Sequence, residues 1–294
     1  MNPMTRVTDM SRQDFRCLER LRVRWAEIDA QQIVFNAHYL GYFDTAVGAY
    51  WRALALPYAD TMKALGGDLF VRKSTVEYLG SAHYDDLLDI GVRCARVGTT
   101  SLTVQCAVFR GDELLVHGEL VYVFADASTQ RPLPVPQALR DTLLGFEAGE
   151  PMVSVRVGDW DALGEHAGAI RQAVFVQEQK IPAEMEWDAA DAGCVHAVAY
   201  NRLGVPLATG RLLEHVPGVA KIGRMAVMRS MRGARIGREV LEALMQAARE
   251  RGEREVLLHA QLSAASFYMR AAFLQRGPLF EEAGIQHVEM VRAL

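Results

Sequence analysis

The chain has 294 residues, half of them apolar and 23% charged, with a net charge of -4. That length suits two domains of ordinary size, each with its own core, and the mild charge excludes a bulk nucleic-acid binder. Met1 to Glu19 carries charges throughout and has no apolar stretch of signal-peptide length, and no later run is long enough for a membrane span. The expectation is a cytoplasmic protein without membrane or nucleic-acid partners. Cys17, Cys94, Cys106 and Cys194 are scattered without C-x-x-C spacing, which favours buried free thiols and gives no metal site.

Taken in chain order, Val23-Arg-Trp-Ala-Glu-Ile-Asp29 reads as strand-like and ends on an acid. Tyr39 to Leu54 predicts a helix, apolar on nearly every face, with Asp44, Thr45 and Arg52 as its polar interruptions. Strands are expected over Asp89–Val97, Leu102–Arg110 and Leu114–Phe124, with a turn at Gly111-Asp112, as an antiparallel meander. A sheet curled around a buried helix satisfies both patterns. After a short helix ending near Phe146, Glu147-Ala-Gly-Glu-Pro151 reads as a linker, so the domains are expected as 1–150 and 151–294.

The second half predicts a helix over Ala169–Glu178 and strands at Val195–Tyr200, Leu207–Leu213 and Lys221–Val227. A basic turn follows, then a helix from Ile236 to Arg251 with Ile236, Val240, Leu241, Leu244, Met245 and Ala248 along one stripe. Gly252 stops that helix before a strand at Glu255–His259, which makes the half an α/β domain.

Two places carry candidate chemistry. Asp29 precedes the start of the apolar helix, whose unpaired N–H groups and partial positive charge could polarise a carbonyl while the carboxylate acts as general base or nucleophile. An Asp that merely caps a loop fits the same residues. Arg224, Arg229, Arg232, Arg235 and Arg238 fall within fifteen residues that contain no Asp or Glu. Such crowding at a helix start opposes the macrodipole unless an anion sits there, so a phosphate-bearing ligand is expected, with a solvated basic face or a weak nucleic-acid patch as the alternative.

Val23 to Leu40, with Val76-Glu-Tyr-Leu79 and Tyr84-Asp-Asp86, resembles the hotdog-fold acyl-CoA thioesterases of the 4-hydroxybenzoyl-CoA type over about residues 18–146. The resemblance implies an α+β domain with an antiparallel sheet wrapped around a central helix, paired as a homodimer or homotetramer. It makes Asp29 the catalytic carboxylate, with Asn36, His38 and Tyr39 positioning the thioester through the oxyanion donors around them. A glycine is common where Gln32 stands, and histidine or asparagine where Asn36 stands. His38 reads as pocket-lining.

Arg232-Gly233-Ala234-Arg235-Ile236-Gly237 resembles the Q/R-x-x-G-x-G/A motif of the GCN5-related N-acetyltransferases, and the resemblance spans about residues 153–294. It implies a GNAT-like α/β domain whose turn, Arg232 through Arg238, holds the pyrophosphate of acetyl-CoA while the backbone of Met225, Ala226 and Val227 pairs with the coenzyme. Arg235 replaces the first glycine of the motif, which either weakens binding or exchanges a backbone contact for a guanidinium one. Val174-Phe-Val-Gln-Glu-Gln179 with Glu186-Trp-Asp188 resembles one acetyltransferase branch. Ala264 to Phe273 resembles the segment bearing a tyrosine that protonates the leaving thiolate, which assigns Tyr268 as general acid, with Ala272 in place of the usual glycine. Glu178 and His287 are weaker candidates for amine-side work.

The expected function is bifunctional: acyl-CoA hydrolysis in the first domain and acetyl-CoA-dependent transfer to an unidentified amine in the second. Acyl-CoA is then a substrate and acetyl-CoA a co-substrate, with no tightly bound cofactor. The alternative keeps the thioesterase and makes the second domain a non-catalytic CoA-binding module.

Overall fold

The computed structural model describes residues 10–294, so the N-terminal stretch read above lies partly outside the described residues. The backbone divides between Met152 and Val153 into two compact units. Among the described residues no helix is long and apolar enough to cross a membrane.

Unit 1 contains β1 (Cys17–Arg22), α1 (His38–Ala53), α2 (Tyr58–Leu65), β2 (Asp68–Tyr78), β3 (Leu87–Val97), β4 (Ser101–Arg110), β5 (Glu113–Ala125) and α3 (Gln137–Ala148). Its five strands form one sheet in the order β1-β3-β4-β5-β2, and every pairing is antiparallel. Helix α1 buries Tyr39, Tyr42, Phe43, Ala46, Val47, Ala49, Tyr50 and Trp51. Leu40, Gly41, Asp44, Thr45 and Arg52 make one exposed stripe, so the polar interruptions share a single open face. The Phe43 ring lies where any Cβ at Gly118 would stand, which lets the helix approach β5 closely.

Two local readings need correction. Val23–Asp29 is not a strand. The first strand ends at Arg22, and Trp25–Glu27 is a single 3-10 turn. Glu27 forces that turn, because its carboxylate accepts from the Arg24 backbone at 2.7 Å and from the Arg24 guanidinium at 2.6 and 2.8 Å. Glu147 does not belong to a linker either. It sits in α3, where its carboxylate accepts from the Tyr50 hydroxyl and, at 2.8 Å, from the Cys94 backbone N–H.

Unit 2 contains β6 (Val153–Gly158), α4 (Trp160–Arg171), α5 (Ala183–Glu186), β7 (Val195–Asn201), β8 (Pro206–Val216), β9 (Val219–Val227), α6 (Ile236–Glu250), β10 (Glu255–Gln261), α7 (Ala265–Arg270), β11 (Leu274–Glu282) and β12 (Ile285–Ala293). Its seven-stranded sheet runs β11-β12-β10-β9-β8-β7-β6, with β9 and β10 parallel. Helix α6 buries the six apolar residues of the expected stripe. The helix expected over Ala169–Glu178 instead begins at Trp160, where the Asp159 side chain caps it by accepting from Ala162 N–H at 2.9 Å. Residues Gln172–Glu178 continue it as a π-helical segment. Cys17, Cys94, Cys106 and Cys194 are buried free thiols.

Candidate functional sites

In unit 1, Asp29 stands at the mouth of a loop closed by its own backbone. The Asp29 N–H donates to the Ile33 carbonyl at 2.9 Å, and Gln32 N–H donates to the Asp29 carbonyl at 3.0 Å. Gln32 makes this turn with φ +63°, a left-handed conformation in which a Cβ is strained. Val34 N–H donates to Ala82 and Phe35 N–H to Glu27, both at 2.9 Å, anchoring the loop on two sides. One Asp29 carboxylate oxygen accepts from Gln31 N–H at 2.8 Å, and the side chain is half-buried.

Nine residues after Asp29 the chain enters α1. His38 N–H is committed to the Phe35 carbonyl at 2.9 Å and Tyr39 N–H to Asn36 at 3.4 Å. The N–H groups of Asn36 and Ala37 make no hydrogen bond among the described residues, which leaves two donors at the helix mouth. Asn36 is exposed, His38 half-buried and Tyr39 buried. Tyr39 faces inward, its hydroxyl accepting from Ala82 N–H at 3.1 Å, and Tyr78 donates to the Asn36 carbonyl at 3.2 Å. The His38 and Tyr39 N–H groups are thus spent within the helix start, and the Tyr39 side chain serves as a loop anchor.

Sequence reasoning passed over Glu27, the residue that holds this loop in place. It is 3% exposed and accepts from Tyr42 of α1 at 2.7 Å, besides Arg24. Burial pushes its pKa up, but the hydrogen bonds from the Arg24 backbone, Tyr42 and the Arg24 guanidinium outweigh burial and hold it below the usual carboxylate value. The signal was present as an acid three residues after Arg24 and fifteen before a tyrosine on the buried face of the helix.

In unit 2 the site begins with a parting of strands. β9 and β10 pair from Val219 opposite Glu255 to Ile222 opposite Leu258, yet β9 runs on to Val227 and β10 to Gln261. A bulge opposite Thr209 and Arg211, with Arg224 left-handed at φ +52°, bends β9 there. From Gly223 onward β9 has no partner on the β10 side, so Met225 and Val227 border an open slot. Ala226 points instead into the core formed with α4. A cavity of about 370 Å³ lies at this parting, lined among others by Arg211, Lys221, Met225, His259, Tyr268 and His287.

The turn after β9 presents a row of donors. Gly233 and Arg235 are both left-handed, at φ +88° and +64°. The N–H groups of Gly233, Arg235, Ile236 and Gly237 make no hydrogen bond among the described residues, whereas Ala234 N–H is used by Met231. Successive N–H groups in such a turn at a helix start form an anion-binding concavity. Gly237 packs with its Cα against β9, where an added Cβ would meet Val227 at 3.0 Å.

The five arginines do not act together. Arg232 is held bidentately by Glu178 at 2.6 and 2.7 Å, and Arg238 by Glu242 at 2.7 Å. Arg224 reaches the Glu186 carbonyl and the Asp188 carboxylate, both at 3.2 Å. The five arginines thus do not form one guanidinium cluster, because Glu178, Glu186 and Asp188 arrive from elsewhere in the chain. Arg229 and Arg235 make no ion pair among the described residues, although Arg229 lies near enough to Glu178 to help hold its carboxyl low, and the concavity is made mainly of backbone.

Tyr268 is 8% exposed and lines the cavity, its ring edge-on to Phe267 and Phe273. Burial raises its pKa and keeps the hydroxyl protonated. Helix α7 that carries it ends in a Schellman cap, with Phe273 N–H on the Tyr268 carbonyl at 3.0 Å and Ala272 N–H on Met269 at 2.9 Å. Ala272 is left-handed at φ +61°. His287 Nδ1 donates to the Ile285 carbonyl at 2.8 Å, and Glu178 is committed to Arg232. Lys221 and His259, polar residues in otherwise apolar strand runs, also line the cavity, and that interruption of the run was their only mark in the sequence.

Glu186-Trp187-Asp188 closes the cavity through a buried network. Arg171, 1% exposed, binds Glu186 and, at 2.8 Å, Asp191, between the rings of Trp160 and Trp187 at 5.5 and 4.9 Å. Arg211 adds Asp191 at 2.6 Å and Asp188 at 2.8 Å.

These geometries define a two-domain protein: an antiparallel sheet against one buried helix, then an α/β unit with splayed strands beside a donor-rich turn. Residues 31–117 match the model of the thioesterase superfamily, and residues 166–294 that of the acetyltransferase (GNAT) domain. The chain belongs to both families, as a hotdog thioesterase-type domain followed by a GNAT domain. Among relatives, the uncharacterized N-acetyltransferase YjcF of Bacillus subtilis strain 168 is 34% identical over 124 residues, covering 42% of this chain and 87% of its own length. A protein of Aquifex aeolicus strain VF5 named "Putative esterase" is 30% identical over 93 residues, 32% of this chain and 72% of its own. A solved structure from Lactobacillus plantarum is 31% identical, covering 49% of this chain and 99% of its own, with a TM-score of 0.47.

Proposed function

We propose that the protein is bifunctional, hydrolysing acyl-CoA thioesters in unit 1 and transferring an acyl group from acetyl-CoA to an amine in unit 2. The observation that carries the reading is the pairing, in each unit, of unengaged backbone donors with a group suited to thioester chemistry. In unit 1 the thioester carbonyl binds at the Asn36 and Ala37 N–H groups, each donor contributing roughly 3 kcal/mol of barrier lowering. Asp29 activates water or attacks the carbonyl carbon. Exposed Trp25, Phe35 and Tyr84 surround this end of the unit and suit an acyl chain or a second copy.

In unit 2 the pyrophosphate binds at the N–H groups of Gly233, Arg235, Ile236 and Gly237, and the pantetheine arm runs along Met225 and Val227, adding the strand that β10 ceases to supply. The amine attacks the thioester carbonyl, the C–S bond breaks, and Tyr268 gives its proton to the departing thiolate. The Arg235 and Ala272 replacements keep glycine-type backbone conformations, which favours a functioning site over a non-catalytic CoA-binding module.

Release of free thiol from a panel of acyl-CoA thioesters, with and without amines, tests both halves. Asp29→Asn is expected to lower amine-independent release at least a hundredfold while leaving amine-dependent release intact. Tyr268→Phe is expected to slow amine-dependent release about tenfold or more and spare the other. Retained hydrolysis in the first variant rejects Asp29, and unchanged transfer in the second rejects Tyr268.

A further inference from the structure

Lysine occurs at four positions in this chain, Lys63, Lys73, Lys180 and Lys221. The first three are exposed, whereas Lys221 is half-buried and lines the unit 2 cavity together with His259 and Tyr268. Its Nζ lies 3.2 Å from Nδ1 of His259. Two carboxylates frame the imidazole, Glu282 at 3.6 Å from Nδ1 and Glu289 at 3.7 Å from Nε2. Lys221, Gly223 and Met225 all line the cavity, and Gly223 is where β9 loses its β10 neighbour. A primary amine with a base beside it thus stands one strand period, about 7 Å along the backbone, before the slot proposed for the thioester.

We propose that Lys221 is itself an acyl acceptor, taking the acyl group of the thioester bound in unit 2 while His259 accepts the amine proton. This rests on the acyl-CoA reading of that unit. The neutral Nζ attacks the thioester carbonyl, a C–N bond forms and the C–S bond breaks. One N–H proton passes to Nδ1 of His259, and the electron pair leaves on sulfur, which takes the Tyr268 proton. The imidazolium then returns a proton to the phenolate through water. The products are an amide at Lys221 and free coenzyme thiol.

The surroundings support a neutral amine. Burial lowers the Lys221 pKa most, opposed by Glu282 of β11 and Glu289 of β12 and reinforced by Arg211 of β8 and Arg224 of β9. His259 is lowered first by burial and then by Lys221 itself, which keeps it able to accept a proton. Acylation removes the charge of Lys221 and fills the cavity end beside His259, so a modified site competes with entry of a free amine.

The test uses the full chain incubated with acetyl-CoA and mapped by peptide mass spectrometry. One acetyl group is expected on Lys221, arriving at least about tenfold faster than on the three exposed lysines. Lys221→Arg should abolish that fast incorporation, and His259→Gln should slow it at least about tenfold. Modification of Lys221 no faster than Lys63, Lys73 and Lys180 overturns the inference. If an added amine is acetylated while Lys221 stays bare, this inference fails and the transferase reading stands. If neither is acetylated and acetyl-CoA does not bind, both fail.

Discussion

Three residues stand where the resemblances described above imply a glycine, and all three hold a left-handed backbone of the kind glycine favours. Gln32, Arg235 and Ala272 have φ of +63°, +64° and +61°. The left-handed region costs a residue with a Cβ roughly 1–2 kcal/mol, against the smaller entropy that a glycine loses on folding. The surrounding hydrogen bonds, such as the Schellman pair at Ala272, impose the conformation whatever side chain is present. Arg235→Gly and Ala272→Gly are each expected to stabilise unit 2 by about 0.5–1 kcal/mol. Urea unfolding of each variant checks this, and a loss of stability would mean that the side chain makes a compensating contact. Arg235→Gly also separates the two roles left open for that residue. Unchanged acetyl-CoA affinity assigns the contact to the backbone, and a marked loss assigns it to the guanidinium.

At the scale of elements, the sites depend on short segments clamped by ion pairs. The Glu186–Asp191 stretch is held against α4 by Arg171, which binds both acids in a buried setting, and by Trp187 packed on Gly168. Arg171→Met leaves Glu186 and Asp191 buried without that partner and is expected to cost about 3–5 kcal/mol. Adding Glu186→Gln should recover part of the loss, a coupling that thermal unfolding of the single and double variants measures. The same scale marks where sequence patterns were readable. The α6 stripe followed from apolar periodicity because the helix buries one regular face, and the strands β3, β4 and β5 followed from Val-, Phe- and Tyr-rich runs with partial alternation. The strands β6, β11 and β12 went unread. β11 is nearly all exposed, and its alternation carries little apolar signal. The turn at Trp25–Glu27 was misread as strand because its cause is a polar hydrogen bond rather than a pattern of burial.

For the whole molecule, acid is expected to weaken both units in two stages. His117 in unit 1 and His196 in unit 2 are buried, and burial lowers each pKa below the ordinary value of 6.5. The unfolded chain therefore binds protons first, so stability is full above about pH 6.5 and falls as pH drops from there toward the folded values. Glu27 and Asp191, held below their ordinary values of 4.5 and 3.8 despite burial, add a second loss as pH falls through that range. Urea unfolding across a pH series reads both, and a flat profile between pH 7 and 5 would contradict the first. Strand β2 offers a long exposed edge, with Val71 and Tyr78 more than half exposed. We propose that two copies pair through unit 1, covering this edge. Sedimentation equilibrium should give twice the chain mass or a multiple of it, and a monomer at micromolar concentration would reject the pairing.

By itself the sequence determined the two families, the central helix of unit 1, the α6 face and the residues Asp29, Tyr268 and the 232–238 turn as candidates. These rest on local spacing and on short motifs, which one linear chain displays in full. The tertiary structure decided that Arg232 is held by Glu178 and Arg224 by Asp188. It also decided that Glu27 anchors the Asp29 loop and that Lys221 meets His259. Those contacts join residues from separate strands and helices, and a partner brought in by folding leaves no periodic trace in the residues between.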